Sequence, residues 1–296
     1  MILVSAIYNN NVTSVIGGRG RGLPFYLPSL INISNLGHPL VMYCEPDEVE
    51  HFKTVLSPYF KQLWVFGYKL ESFKYFDRYI EWKQTFYQNI INDRNEVLCF
   101  SKMYWLKQTI EKNLTNDDMY MWIDSGLFHH GIFPEKVGGV ELLVNYPTSK
   151  YYPENPNNIF NPRLGANLVK VVPKDKLFYC SLPAVGDQTS LRTVTESIYN
   201  KQVSILDHLI AGYFGGYKDN ILNNFPHYES VLEKIIEFKI HCFEEHVFNC
   251  LYATIPEQYH LEKFDLWHFY SPGERTSYLE REANSFYKIF TRIHEQ

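Results

Sequence analysis

Asp124 is the residue best placed for chemistry, at the end of the apolar run in Met119-Tyr120-Met121-Trp122-Ile123-Asp124-Ser125-Gly126. An apolar strand that stops at a carboxylate followed by small residues places that carboxylate beyond the strand's C-terminal end. Open α/β sheets bind ligands there. A hard divalent cation holding a diphosphate takes few protein carboxylates and keeps phosphate oxygens and waters as its other ligands. Asp124, with Ser125 and Gly126 allowing close approach, suits that task; an Asx turn closing the strand is the structural alternative. A second group is Phe243-Glu244-Glu245-His246, which follows Ala211-Gly212-Tyr213-Phe214-Gly215-Gly216 at a distance. A glutamate there would face a sugar's anomeric carbon as base, nucleophile or ion-pair stabiliser. Alternatively, glutamates in the first turn of a helix interact favourably with its dipole, by roughly 0.3–1 kcal/mol each. Gly215 and Gly216 would let a substrate ring lie against bare backbone.

Three further candidates are less specific. The loop Gly17-Gly18-Arg19-Gly20-Arg21-Gly22 offers backbone N–H groups and two guanidinium forks, Arg19 and Arg21, to phosphate oxygens. It lacks the Lys-Ser/Thr ending of a P-loop and the register of GxGxxG. Lys102, read as lying just inside a helix, would reach a phosphate, although lysines in such places are commonly solvated. His268, in Leu266-Trp267-His268-Phe269, would serve as a late metal ligand or as a hydrogen-bonded core residue. His129 and His130 are adjacent, and adjacent residues of a strand point to opposite faces, so they do not form a metal pair.

The elements that must position these groups alternate. Ile2 to Tyr8 reads as a strand buried on both faces, then a helical stretch runs from Pro24 to about Asn35. Pro39 to Cys44 is a second strand, Glu45 to Leu56 a helix, and Gln62 to Phe66 a third strand. Ser72 to Ile91 and Ser101 to Lys112 have helical spacing, and Met119 to Asp124 is the fourth strand. Strands separated by helices argue for βαβ units and a mostly parallel sheet. The stretch from Asn145 to Arg163 is a proline- and asparagine-rich loop. Short strands are expected between Leu168 and Leu182, and a buried strand from Asp207 to Gly216. A long helix from Tyr217 to Lys239, broken at Pro226, comes next, then a helix from Phe243 to Ala253. Phe264 to Tyr270 is strand-like, and Gly273 to Ile293 a charged terminal helix. No linker divides the chain.

The 296 residues carry 28 Lys+Arg against 33 Asp+Glu, a formal charge of −5, which disfavours a general nucleic-acid binder. Hydrophobic residues at 45% and charged residues at 21% exclude wholesale disorder. The aromatic share of 17% is high and tyrosine-led, which suits wet clefts where a ring stacks and a hydroxyl hydrogen-bonds. Five scattered cysteines without CxxC spacing read as reduced thiols. With neither the pattern of a signal peptide nor a membrane-length apolar run, the expectation is a soluble, cytoplasmic protein without a transmembrane segment.

Taken in order, these motifs resemble a GT-A-type glycosyltransferase, and more narrowly the bacterial HtrL/YibB-like family. The resembling stretches are Val4-Ser5-Ala6 with Gly18-Arg19-Gly20, then Trp122-Ile123-Asp124-Ser125-Gly126, Gly212-Tyr213-Phe214-Gly215-Gly216 and Glu244-Glu245-His246. The family shows an FWIDAG-like strand end, a GGFFGG-like strand and a DEQ-like triplet. The second half also resembles blood-group-type retaining transferases, in which an FFGG strand lines the acceptor and a DES-like triplet supplies the catalytic carboxylate. The resemblance implies a single GT-A-like (Rossmann-like) α/β domain with a mostly parallel central sheet flanked by helices. Residues 1–126 would form the nucleotide-sugar-binding half and 127–296 the acceptor-binding and catalytic half. It also implies a metal-dependent transferase using a UDP-sugar and an acceptor hydroxyl, with a lean towards retention. Asp124 would bind Mn²⁺ or Mg²⁺, completed by a group such as His268, because Asp124-Ser125-Gly126 replaces the usual DxD. Ser5, Ala6, Arg19, Arg21, Lys102, Ser125, Gly126, Gly215 and Gly216 would surround the donor. Glu245 matches the family's glutamate, but Glu244 stands where Asp is usual, so the choice between them stays open. The rival readings are a non-catalytic carbohydrate- or nucleotide-binding module and a DNA-modifying glycosyltransferase.

Overall fold

The computed structural model describes residues 1–8, 26–27, 30–31, 33–34, 37–84, 94–125, 172–183, 189–200, 207–240, Cys242 and 244–263. Seven strands form one sheet: β1 (Ile2–Ala6), β2 (Leu40–Cys44), β3 (Leu63–Gly67), β4 (Met119–Ile123), β5 (Leu177–Pro183), β6 (Asp207–Tyr217) and β7 (Tyr259–Lys263). Their order is β3-β2-β1-β4-β6-β5-β7. Only β6 runs against its neighbours, pairing antiparallel with β4 and β5, while the other ladders are parallel. The mostly parallel α/β sheet expected from the alternation of strands and helices is therefore present. β1, β2 and β4 are buried at every position, which is why each reads as a nearly unbroken apolar run.

Among the described residues six α-helices accompany the sheet: α1 (Val49–Leu56), α2 (Phe76–Gln84), α3 (Arg94–Glu111), α4 (Thr189–Tyr199), α5 (Lys218–Glu237) and α6 (Glu244–Thr254). Strand alternation divides their partners between two faces. Ile2, Val4, Ala6, Tyr120 and Trp122 face an aromatic layer that contains Phe100, Trp105, Tyr228 and Phe248 from α3, α5 and α6. Leu3, Met119, Met121 and Ile123 face the other way, in a cluster that includes Phe52 and Leu56 of α1. Fully burying one such side chain contributes roughly 1.5–3 kcal/mol. Trp105 of α3 stacks on Tyr43 of β2 with ring centroids 4.7 Å apart.

Several boundaries depart from expectation. α3 begins at Arg94, a full two turns before Ser101, so Lys102 sits well inside it. α5 continues through Pro226, which lies on its exposed side while Phe225 and Tyr228 stay buried. Among the described residues between Leu168 and Leu182, where short strands are expected, one strand, β5, is present, and α4 and β7 have no counterpart in the sequence pattern. The expected helix from Pro24 lies largely outside the described residues. So do the loop from Asn145 to Arg163, the strand from Phe264 to Tyr270 and the helix from Gly273 to Ile293.

Candidate active site

β4 carries Tyr120 and Trp122 on the aromatic face, and continuing that alternation one step beyond its end brings Asp124 to the same side. The Asp124 N–H still donates to the Gly212 carbonyl at 2.9 Å, so the backbone holds its place by extending the ladder with β6. Two side chains grip its carboxylate. Trp122 Nε1 donates to Oδ1 at 2.6 Å, and Lys102 Nζ lies 3.0 Å from Oδ1 and 3.2 Å from Oδ2. The carboxylate is thus engaged by side-chain donors from β4 and α3.

Lys102 is the centre of the arrangement. Its ammonium also donates to the Ala211 carbonyl at 3.0 Å and to Glu244 Oε1 at 3.4 Å. It lies over the Trp122 ring, 5.8 Å from the centroid, and the residue is 2% exposed. Burial works against its charge, but Asp124 and Glu244 more than offset that, and its pKa is raised. Glu244 opens α6, so the helix start aims its carboxylate at α3. Burial is the largest influence on Glu244 and raises its pKa, Lys102 opposes, and Glu245 and Asp124 reinforce the rise. Cys99, one helical turn before Lys102, has its thiol pushed well up, by burial first and then by Glu244. Two carboxylates far apart in sequence therefore meet across one buried ammonium, at the C-terminal end of the central strands.

The expected residues fare differently. Ser5 is fully buried and its hydroxyl donates to the Ile123 carbonyl at 2.7 Å, tying β1 to the last residue of β4. Ala6 is 2% exposed and belongs to the aromatic-face core. Ser125 is buried beside Asp124. Gly215 and Gly216 pair with Met121 and Tyr120, about 10 Å back along the strand from the Asp124 end. Both are buried, and a Cβ on Gly215 would meet the Tyr120 carbonyl oxygen at 2.2 Å. Gly215 thus lets β6 approach β4 closely; the β6 residues beside Asp124 are Ala211 and Gly212, whose carbonyls accept from Lys102 and from the Asp124 N–H. Glu245 follows Glu244 in the first turn of α6, and the contact with Lys102 is made by Glu244. Arg19, Arg21, Gly126 and His268 lie outside the described residues, as do His129 and His130.

A helix that starts at Ser101, as the sequence pattern suggests, would leave Lys102 in its first turn, where lysines are commonly solvated. With α3 running from Arg94, Lys102 is three residues after Cys99 and four before Leu106, on the inward face. A lysine within an apolar stripe was the available signal.

A divalent cation at Asp124 does not fit this arrangement. Its carboxylate already meets an indole N–H and an ammonium. A doubly charged ion within about 4 Å of that ammonium would be repelled by roughly 8 kcal/mol at an effective dielectric of 20. Among the described residues, no group of three or more His, Cys, Asp or Glu is placed to hold a metal, and no helix is long and apolar enough to cross a membrane.

No protein-family model matches the chain, so the likeness to the HtrL/YibB-like family stands on the motifs alone. No curated protein matches it either. Among solved structures the chain is similar to the apo form of mouse xyloside xylosyltransferase 1. That match has 10% identity and a TM-score of 0.44, and it covers 88% of this chain and 84% of that one. It is also similar to the galactosyltransferase LgtC in complex with donor and acceptor sugar analogues. There the identity is 9% and the TM-score 0.44, with 96% of this chain and 83% of that one covered.

Proposed function

We propose that this chain is a glycosyltransferase that moves a sugar from a nucleotide-sugar, a UDP-sugar by preference, to an acceptor hydroxyl. The observation that carries the reading is the meeting of Asp124 and Glu244 at the C-terminal end of β4, the place where open α/β sheets bind ligands. The motif resemblance supports it, since it pointed to Asp124 and to the Glu244-Glu245 pair, with Glu245 at the family's glutamate. In this reading the sugar lies over Glu244, with Glu245 beside it. The anomeric carbon's bond to the diphosphate oxygen breaks with its electron pair going to the diphosphate. The acceptor oxygen then bonds to that carbon and gives up its proton to the departing phosphate oxygen. Glu244 stabilises the positive charge that develops at the sugar, an effect realised in the transition state. Lys102 holds Glu244 and Asp124 in place, and Asp124, 38% exposed at its side chain, orients the donor. Arg19 and Arg21 are assigned to the diphosphate. Retention is the favoured outcome.

The test is UDP release from a panel of UDP-sugars. Glu244→Gln is expected to lower kcat by about 100-fold or more with little change in donor KM, and Asp124→Ala to abolish transfer. Glu245→Gln ranks the two glutamates, and Glu111→Gln, on the outer side of α3 where its partner is Lys107, is the control. Turnover that survives both Glu244→Gln and Asp124→Ala would remove the proposal.

The second reading, a carbohydrate- or nucleotide-binding module, is favoured by one observation. Lys102 spends its three N–H groups on protein oxygens, which leaves both carboxylates partly neutralised. Saturable UDP binding without UDP release from any donor would select it.

A further inference from the structure

The Lys102 ammonium sits among oxygens that would otherwise make a cation site. The Asp124 carboxylate, the Glu244 carboxylate and the Ala211 carbonyl all converge on Nζ, at 3.0–3.4 Å. Two carboxylates and a backbone carbonyl form the donor set of a hard divalent cation. The ammonium satisfies that set with one N–H for each group, and it is buried to 2% exposure, so it has no room to swing aside into solvent. Two devices fix it there. It grows from the inward face of α3, one turn after Cys99, and the Trp122 ring lies alongside it while the Trp122 indole N–H holds Asp124.

We propose that Lys102 is a built-in cation: its side chain permanently occupies the oxygen-lined site between Asp124, Glu244 and the Ala211 carbonyl, and this chain takes no divalent metal there. The site keeps a hard cation's ligands but fills them with a covalently attached charge. An ammonium is a compact point charge with tetrahedral donors, which suits three convergent oxygens better than a planar guanidinium would. Three groups from β4, β6 and α6 are thereby fixed without dependence on the surrounding ion concentration. The inference deepens the transferase reading, in which it makes donor cleavage independent of metal at Asp124. The exchange of cations itself holds whether or not sugar is transferred.

The experiment uses Mn²⁺ as the probe and needs no turnover. Wild-type protein and Asp124→Asn are titrated with MnCl₂ while free Mn²⁺ is followed by electron paramagnetic resonance. Wild type is expected to show no saturable binding that Asp124→Asn removes; binding lost in that variant overturns the proposal. Lys102→Ala, checked for folding by circular dichroism, is expected to acquire one Mn²⁺ site and to melt at a temperature that rises with MnCl₂. The double variant Lys102→Ala/Asp124→Asn should show neither. A folded Lys102→Ala that binds no Mn²⁺ and gains no thermal stability from it also overturns the proposal. If Lys102→Ala does not fold, the wild-type and Asp124→Asn titrations decide alone. Failure of the transferase reading would show instead as absence of UDP release, with these titrations unchanged.

Discussion

Glu244 shows how a single carboxyl is shaped by its neighbours. Lys102 and Cys99 face it from α3, Asp124 from the end of β4, Tyr228 from α5, and Glu245 follows it in α6. Burial, reinforced by Glu245 and Asp124 and opposed by Lys102, raises its pKa above the ordinary 4.5. The folded chain therefore binds this proton more tightly than the unfolded chain does. Its contribution to stability is fully present below pH 4.5 and is lost as the pH rises through the raised folded value. Glu244→Gln should erase that slope. In urea unfolding at a series of pH values, the stability of wild type minus that of the variant is expected to fall as the pH climbs from 4.5. A difference that rises with pH would contradict the assignment.

Among the elements, β6 carries the sharpest local constraint. At Gly215 a Cβ would sit 2.2 Å from the Tyr120 carbonyl oxygen and 2.8 Å from Met121 Cα, both backbone atoms of β4. At Gly216 the nearest atom is the Lys176 carbonyl oxygen at 3.1 Å, a tight but absorbable approach. Their φ values of +157° and +156° strain any side chain equally, so contact alone separates the two positions. Gly215→Ala is expected to cost about 3 kcal/mol or more, and Gly216→Ala roughly 1–2 kcal/mol. Thermal melts of the two variants test that order. Equal losses would mean that backbone strain, not the approach of β4, sets the requirement.

At the scale of the molecule, the sheet crosses the boundary expected near residue 126. β4 comes from the first half, yet its outer edge is paired with β6 along Met119–Ile123, and β5 and β7 continue from there. The aromatic layer is shared in the same way: Phe248 of α6 packs on Tyr179 of β5, Phe214 of β6 and Tyr228 of α5. A fragment of residues 1–126 would expose the β4 edge and strip α3 of its contacts with α5. An apolar strand edge of that kind templates association. The fragment is expected to elute as aggregate in size-exclusion chromatography, and a monomeric fragment with cooperative melting would show that the halves fold independently.

What the sequence determined by itself was set by local pattern. Ile2–Ala6, Leu40–Cys44 and Met119–Ile123 announced a parallel sheet because strands covered on both faces must be apolar throughout. Asp124 stood out because a carboxylate ends such a run, and the Glu244-Glu245 pair because it opens a helix. Only the tertiary structure decided that Lys102 belongs with them. A lysine's environment depends on which helix face meets the sheet, and that followed from where α3 starts. It also decided that Gly215 lies against the backbone of Tyr120 and Met121, since register across β4 and β6 is a long-range property that no short motif encodes.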